Sequence, residues 1–127
     1  MKTVGAQPRP TPEPQAPSLS LVIPAYNEAS RIQETIATAA SWLCAQPYRT
    51  ELIVVDDGSG DETAALAEAA LGDCTAGYLV RVPHGGKAAA VRAGMLSSTM
   101  EQIAFCDADL ATPLDYLNDL RAAVEGG

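Results

Sequence analysis

The sequence alternates four times between a short apolar run and a helical pattern, and this alternation limits the folds that are open to the chain. The apolar runs are 19–23, 52–55, 78–82 and 103–106. Runs this short, with β-branched residues inside and turn residues at their ends, are typical of strands buried on both faces. Because parallel strands need crossover connections, the alternation predicts an α/β fold: a mainly parallel sheet with helices on both faces.

A helix is predicted after each strand, and the first two have clear sequence signals. The apolar positions of the first helix recur at spacings of four, three and four, which places them on one face: Ile32, Ile36, Ala39 and Leu43. The second helix is predicted to begin at a capping box, in which Ser59 and Glu62 each satisfy a backbone N–H group of the first turn. It is expected to end at Gly72.

The third and fourth helices are predicted from a weaker apolar pattern. The third spans about 87–100, with Val91 and Met95 on its apolar face. The fourth begins at Thr112-Pro113, where threonine is a preferred N-cap, proline suits the first helical position and Asp115 can accept from free N–H groups. Its apolar stripe consists of Leu114, Leu117, Leu120 and Val124.

The N-terminal segment differs in composition from the rest of the chain. Five of the nine prolines lie between residues 8 and 17. Proline removes a backbone donor and fixes φ, so this segment is expected to be extended and solvated. We therefore predict a disordered proline-rich leader over 1–17 and one α/β domain over 18–127.

Charge and cysteine content exclude several classes of protein. Eight basic against sixteen acidic residues give a net charge of −8, which argues against a nucleic-acid partner and a polybasic membrane patch. The three cysteines, Cys44, Cys74 and Cys106, show no CxxC spacing and fit reduced thiols. No apolar run approaches the roughly 20 residues that a membrane span needs. A cytoplasmic location is expected.

The unusual residues follow the ends of the predicted strands. They form four segments: 24–28, 56–60, 83–87 and 107–109. The carboxyl ends of parallel strands meet at one edge of a sheet, and ligands of open α/β sheets bind outside that edge. The sequence therefore predicts a ligand site built from these four segments.

Four aspartates in two of these segments suggest a bound cation. Asp56 and Asp57 follow the second strand, and Asp107 and Asp109 follow the fourth. Converging carboxylates repel unless they are protonated, turned away or neutralised. In Asp107-Ala108-Asp109 an extended backbone would put both carboxylates on one side, and two carboxylates plus substrate phosphates suit Mg²⁺ or Mn²⁺. The alternative is that these aspartates are turn and cap residues.

The segment Gly85-Gly86-Lys87 suggests an anion site. Glycine lets the backbone approach a ligand, and a helix N-terminus with a lysine favours a diphosphate. The alternative is a simple turn followed by a solvated lysine. A Walker A loop is excluded because Ala88 stands where serine or threonine is required, and a dinucleotide motif beginning at Gly58 meets Thr63 where it needs glycine.

Aromatic and polar residues after the first strand could bind a nucleoside. Tyr26 can stack on a base, and Glu28 can accept hydrogen bonds from ribose hydroxyl groups. Alternatively, Tyr26 packs and Asn27 is the N-cap of the first helix. His84 is expected to be solvated.

Taken together, the four segments resemble the family 2 glycosyltransferases in order and spacing. The matching stretches are 22–28, 54–59, 86–94 and 107–113, and the last two are most similar to the branch that glucosylates dolichyl or polyprenyl phosphate. The resemblance covers about residues 19–120. It implies the N-terminal half of a GT-A fold and an inverting, metal-dependent transfer of a sugar. The expected donor is UDP-glucose. A possible acceptor is a lipid phosphate at the cytoplasmic membrane.

The resemblance also implies roles for individual residues. Residues of the first three segments would bind the nucleotide sugar: Pro24, Tyr26, Glu28, Asp56, Asp57, Gly86 and Lys87. Asp107 and Asp109 would hold Mg²⁺ or Mn²⁺, with Asp109 as the chief ligand and Asp107 also near the nucleotide sugar.

Two departures from the family pattern leave alternatives open. Ala88 replaces the second glycine of a Gly-Lys-Gly pattern, and the family's catalytic base lies beyond the aspartate motif, so no base is assigned. The chain is therefore either a piece of a glycosyltransferase or a non-catalytic module that binds a nucleotide sugar. A nucleotidyltransferase-like domain is less favoured because 24–28 has no glycine or basic residue. A receiver domain is disfavoured because its acidic pair should follow the first strand.

Overall fold

The structure, a computed structural model, describes residues 17–72, 76–111 and 113–126. Its strands are β1 (Leu19–Ala25), β2 (Thr50–Asp56), β3 (Gly77–Arg81) and β4 (Gln102–Phe105). They alternate with the helices α1 (Ile32–Cys44), α2 (Thr63–Leu71), α3 (Lys87–Ser97) and α4 (Tyr116–Gly126). The predicted fourfold alternation of strand and helix is confirmed. Across these described ranges, no helix is both long and apolar enough to cross a bilayer.

The four strands form one parallel sheet in the order β3-β2-β1-β4. In the central pair, Val22 of β1 lies opposite Ile53 of β2, and on the other side of β1 Val22 lies opposite Phe105 of β4. Because all the strands run in the same direction, their carboxyl ends share one edge. The loops that follow the strands therefore meet there, as the α/β prediction requires.

The larger part of the core lies between the sheet and the helices α1, α2 and α4. Side chains alternate along a strand, so Leu21 and Ile23 of β1 face this side together with Leu52 and Val54 of β2. The predicted apolar face of α1 is confirmed, since all four of its residues are buried. Ala67 of α2 and Leu117 of α4 complete this layer.

The other face of the sheet is covered by α3, which lies very close to it. Val22, Ile53 and Val55 pack against Ala90, and a Cβ atom at Gly94 would lie 2.4 Å from Val22 Cγ1. Such an approach admits only small residues. The predicted core position of Met95 is therefore wrong: this side chain is 48% exposed, and Ala90 and Gly94 take the buried positions instead.

The prediction that every strand is buried on both faces is confirmed for the central strands and is wrong for the edge strands. Ile103 and Phe105 of β4 and Tyr78 of β3 are exposed. The reason is that α3 packs over β1 and β2, so that the same face of β4 has little cover.

The predicted starts of the second and fourth helices are also corrected. Ser59 and Glu62 form no capping box: the Ser59 hydroxyl accepts a hydrogen bond from the Asn27 N–H group at 2.8 Å. The N-cap residue of α2 is Glu62, and the Thr63 N–H group donates to the Asp61 carboxylate at 2.9 Å. The fourth helix begins at Tyr116, and the Asp115 carboxylate accepts from the Trp42 indole at 2.8 Å.

Other predictions about the chain ends fall partly outside the described residues. Thr112, the predicted N-cap of the fourth helix, is outside them, as is the predicted leader except for Pro17. The Pro17 carbonyl accepts a hydrogen bond from the buried Arg121 side chain.

The predicted apolar stripe of α4 is only partly buried. Leu117 is buried, whereas Leu120 and Val124 are exposed.

The close approach of α3 to the sheet predicts that Gly94→Ala destabilises the fold. The new methyl group would collide with the buried Val22 side chain. Alanine has a higher helix propensity than glycine, but overpacking of this kind costs more than that gain. The free energy of unfolding should therefore fall by about 1–2 kcal/mol. Gly60→Ala is the matched control, since a Cβ atom there has no neighbour within 4 Å. Urea unfolding measures both, and equal free energies of unfolding for the two variants would contradict the packing described here.

Candidate functional site

A cavity of about 440 Å³ opens at the carboxyl edge of the sheet. Its size falls in the range of small-molecule sites. Every predicted site residue except Asp56 lines it: Pro24, Tyr26, Glu28, Asp57, Gly86, Lys87, Asp107 and Asp109. Asp56 is buried at the end of β2, where its carboxylate accepts from the Ser59 N–H group at 3.4 Å. The structure therefore brings together eight of the nine predicted residues.

The Asp57 carboxylate is the most highly engaged group of the site. It is 3% exposed and accepts hydrogen bonds from the Gly85 and Gly86 N–H groups at 2.9 and 3.0 Å. His84 Nδ1 lies 3.0 Å from Asp57 Oδ2. The hydrogen bond from Gly85 lowers the pKa of Asp57 most; burial opposes this shift, and Gly86 and His84 lower the pKa further. The carboxylate thus fixes the loop that leads into α3.

The glycines at this junction are required by the backbone. Gly58 has φ +72°, and a Cβ atom there would lie 2.5 Å from the His84 backbone nitrogen. Gly86 has φ +97° and is the N-cap residue of α3. Both torsions lie in the region that side chains disfavour. As a result, the loop after β2 and the loop after β3 pack directly on each other.

The loop after β1 is tied to the loop after β2 by side chains that sequence reasoning assigned differently. Asn27 has φ +54°, and its side-chain oxygen accepts from the Gly60 N–H group at 2.8 Å. The Glu28 N–H group donates to the Thr63 hydroxyl at 2.8 Å. The expected role of Asn27 as an N-cap is wrong, since α1 begins after Arg31.

Asp107 and Asp109 reach the cavity from a turn. The backbone was expected to be extended here, but the strand ends at Phe105, and the Leu110 N–H group donates to the Asp107 carbonyl at 2.9 Å. Between the two aspartates, Ala108 is buried, and its carbonyl accepts from the Thr35 hydroxyl of α1. The anchored alanine leaves the carboxylates on both sides of it exposed at the cavity.

The charges of the cavity suit a divalent cation bound together with an anion. Lys87 Nζ forms an ion pair with Asp107, so a cationic group already stands at this carboxylate. Glu28 is paired with Arg31 at 3.0 Å. Asp109 forms no ion pair with another described residue. Two exposed carboxylates with room for phosphate oxygens fit the way Mg²⁺ is usually held.

The rest of the described chain offers no closed metal cage. Among residues 17–72, 76–111 and 113–126, no three His, Cys, Asp or Glu side chains converge to hold an ion by themselves. Burial and the neighbouring Asp107 and Asp109 charges raise the pKa of Cys106 to about 12, so this thiol stays protonated at neutral pH. Any cation held by the two aspartates therefore needs further ligands besides the described His, Cys, Asp and Glu side chains.

The family of the chain follows from comparison with known sequences. The sequence model described as "Glycosyl transferase family 2" matches residues 20–127. The chain belongs to glycosyl transferase family 2. This confirms the predicted family.

Curated relatives agree with the predicted branch. The chain is 38% identical over 111 residues to the dolichyl-phosphate beta-glucosyltransferase of Homo sapiens, covering 81% of this chain and 34% of the relative. It is 34% identical over 114 residues to the undecaprenyl-phosphate 4-deoxy-4-formamido-L-arabinose transferase of Serratia proteamaculans, covering 86% and 34%. The chain therefore spans about a third of the length of these curated relatives.

Solved structures share the fold, and some contain ligands. A mannosyltransferase from Pyrobaculum calidifontis in complex with GDP-Man and Mn²⁺ is 26% identical, with a TM-score of 0.66 over 79% of this chain and 34% of its own. Glucosyl-3-phosphoglycerate synthase from Mycobacterium tuberculosis, in complex with Mn²⁺, UDP and glucosyl-3-phosphoglycerate, is 29% identical, with a TM-score of 0.58 over 72% and 33%. The predicted GT-A fold is confirmed.

The engagement of Asp57 predicts that Asp57→Asn destabilises this family 2 domain. Each oxygen of the carboxylate accepts from one backbone N–H group, whereas an asparagine side chain has only one acceptor oxygen. Its NH₂ group would therefore face a backbone N–H group, and neither could accept. The free energy of unfolding should fall by about 1–3 kcal/mol. Because the folded-state pKa of Asp57 is lowered, the stabilisation is complete above about pH 4 and is lost as the pH falls through the folded-state pKa.

Urea unfolding at pH 7 and at decreasing pH measures this effect. Asp109→Asn is the matched control, since Asp109 is an exposed carboxylate of the same site. A constant difference between Asp57→Asn and the native protein down to the lowest pH would contradict the role assigned to the carboxylate.

Proposed function

We propose that this chain is the donor-binding part of a glycosyltransferase that moves glucose from UDP-glucose to a dolichyl or polyprenyl phosphate, with inversion at the anomeric carbon. One observation supports this most: one cavity at the carboxyl edge of the sheet is lined by Asp57 from the loop after β2, Lys87 from the start of α3, and Asp107 and Asp109 from the loop after β4. The relatives named for dolichyl-phosphate and undecaprenyl-phosphate transfer support the acceptor class.

The nucleoside would bind on the β1 and β2 side of the cavity. Tyr26 is 45% exposed, and its ring forms part of the cavity wall there. Pro24 and Glu28 lie beside it in the lining, and Glu28 would accept from ribose hydroxyl groups. The buried Asp57 acts by holding the loop of Gly85 and Gly86 in place, since its oxygens already have three donors.

The diphosphate would bind at the start of α3. Lys87 is the first residue of this helix, where the free N–H groups and the helix dipole favour an anion. Four carboxylates line the cavity: Glu28, Asp57, Asp107 and Asp109. Lys87 is the one lysine among the lining residues. Because the carboxylates repel a diphosphate, it needs a cation in order to bind. Asp107 and Asp109 would hold Mg²⁺ or Mn²⁺, which stabilises the diphosphate as leaving group when bound.

We assign no catalytic base within the described part of the chain. Each carboxylate of the cavity has a role in pairing, loop positioning or metal binding, as described above. We therefore expect donor binding without transfer from this chain alone, which keeps the non-catalytic binding module as the second candidate. The acceptor would be met in the cytoplasm at the membrane surface.

Metal-dependent nucleotide binding is the first test. Calorimetry should show that the protein binds UDP in the presence of Mn²⁺ and that Asp109→Ala reduces this affinity roughly 10- to 100-fold, the loss typical of a disturbed metal site. Asp119→Asn, which removes a charge from the exposed side of α4, should bind like the native chain. No heat of binding with a folded native protein would refute the proposal.

Turnover is the second test. The chain is incubated with UDP-[14C]glucose, Mn²⁺ and polyprenyl phosphate, and the organic phase is counted for labelled lipid. We expect no labelled lipid while UDP-glucose still binds in calorimetry. Labelled lipid that disappears in Asp109→Ala would contradict the absence of a base and make the chain a complete enzyme.

A further inference from the structure

The chain's one histidine is part of an aromatic stack at the wall of the cavity. The rings of Tyr26 and His84 are stacked with centroids 4.2 Å apart and an angle of 26° between their planes. Both residues line the cavity. The His84 side chain is 55% exposed, so Tyr26 covers part of it and the remainder is open to the solvent.

The His84 ring is held in a fixed orientation by its polar contacts. Its Nδ1 atom lies 3.0 Å from the Asp57 carboxylate and 3.1 Å from the Asp57 carbonyl oxygen. Both neighbours can only accept, so Nδ1 carries the proton and donates. Gly58 lets the His84 backbone approach, since a Cβ atom there would be 2.5 Å from its nitrogen. The ring is therefore a preorganised surface.

We propose that His84 is a nucleobase-binding residue of the donor site and that the base of the nucleotide stacks on the open face of its ring. This inference rests on the proposed function. A base cannot enter between Tyr26 and His84, because their 4.2 Å separation leaves room for no third ring. The base therefore extends the stack from outside, with Tyr26 supporting His84 from behind.

The proposal assigns His84 a role in affinity and little role in the choice of base. Every base has a π face, so stacking tolerates a change of base. The imidazole is oriented by the same carboxylate that holds the N–H groups of Gly85 and Gly86. Base and diphosphate would thus be positioned by one buried group, Asp57, through two different contacts.

Titration of His84 variants with two probes tests this role. Dissociation constants are measured with Mg²⁺ for UDP and for pyrophosphate, which lacks the base. We expect His84→Ala to weaken UDP binding roughly 5- to 100-fold and to leave pyrophosphate binding unchanged. His84→Phe keeps a ring and should bind UDP like the native chain, whereas His84→Asn keeps a polar donor without a ring and should behave like His84→Ala.

The outcomes separate this inference from the proposed function. Unchanged UDP affinity in His84→Ala, or equal weakening of UDP and pyrophosphate, would overturn the stacking role. Binding of pyrophosphate by the native chain with no additional affinity for UDP would overturn it too, while leaving the diphosphate site in place. If the native chain bound neither probe, the proposed function would fail and this inference with it.

The ring protons of His84 provide a second readout that does not depend on affinity. Because the chain has one histidine, its imidazole signals in a proton NMR spectrum are unambiguous. Ring currents from Tyr26 should shift them upfield in the free protein, and Tyr26→Leu should remove that shift. Added UDP should move them further and pyrophosphate should not; an equal response to both probes would contradict stacking of the base.

Discussion

The buried carboxylate of Asp57 is the interaction on which the site depends. A charge taken out of water must be compensated by hydrogen bonds or by an opposite charge, and here two backbone N–H groups and an imidazole do so. The N–H groups belong to Gly85 and Gly86, the residues directly before α3. The position of Lys87 and of the free helix N-terminus therefore follows from a residue at the end of β2.

The central strands β1 and β2 and the helix α1 are the parts of the fold that could be predicted from the sequence. Apolar runs at 19–23 and 52–55 are buried on both faces, and the spacing in α1 places its apolar residues on the sheet. Periodicity could not show that α3 approaches the sheet at Gly94, since a glycine has no hydropathy signal. It also could not distinguish central from edge strands, because the order β3-β2-β1-β4 is a property of tertiary pairing.

The position of the site at the carboxyl ends of the strands could be predicted from the sequence. The contacts between its side chains could not. Asp56 and Asp57 are adjacent in sequence, yet only Asp57 faces the cavity, because neighbouring side chains point to opposite sides. His84 was missed because its partners, Tyr26 and Asp57, lie on other loops. A histidine between Pro83 and Gly85, at the same edge as the aspartates, was the one signal that could have pointed to it.

We propose that the loops after β1, β2, β3 and β4 bind a cation and a nucleoside diphosphate together at one edge of the sheet. Paramagnetic broadening by Mn²⁺ in the presence of UDP, observed in ¹H–¹⁵N spectra, tests it most directly. We expect the amide signals of Gly86, Asp107 and Asp109 to broaden first, while those of Glu51 and Thr99, which meet at the opposite edge, stay sharp. Broadening centred on Glu51 and Thr99, or spread evenly over the chain, would contradict it.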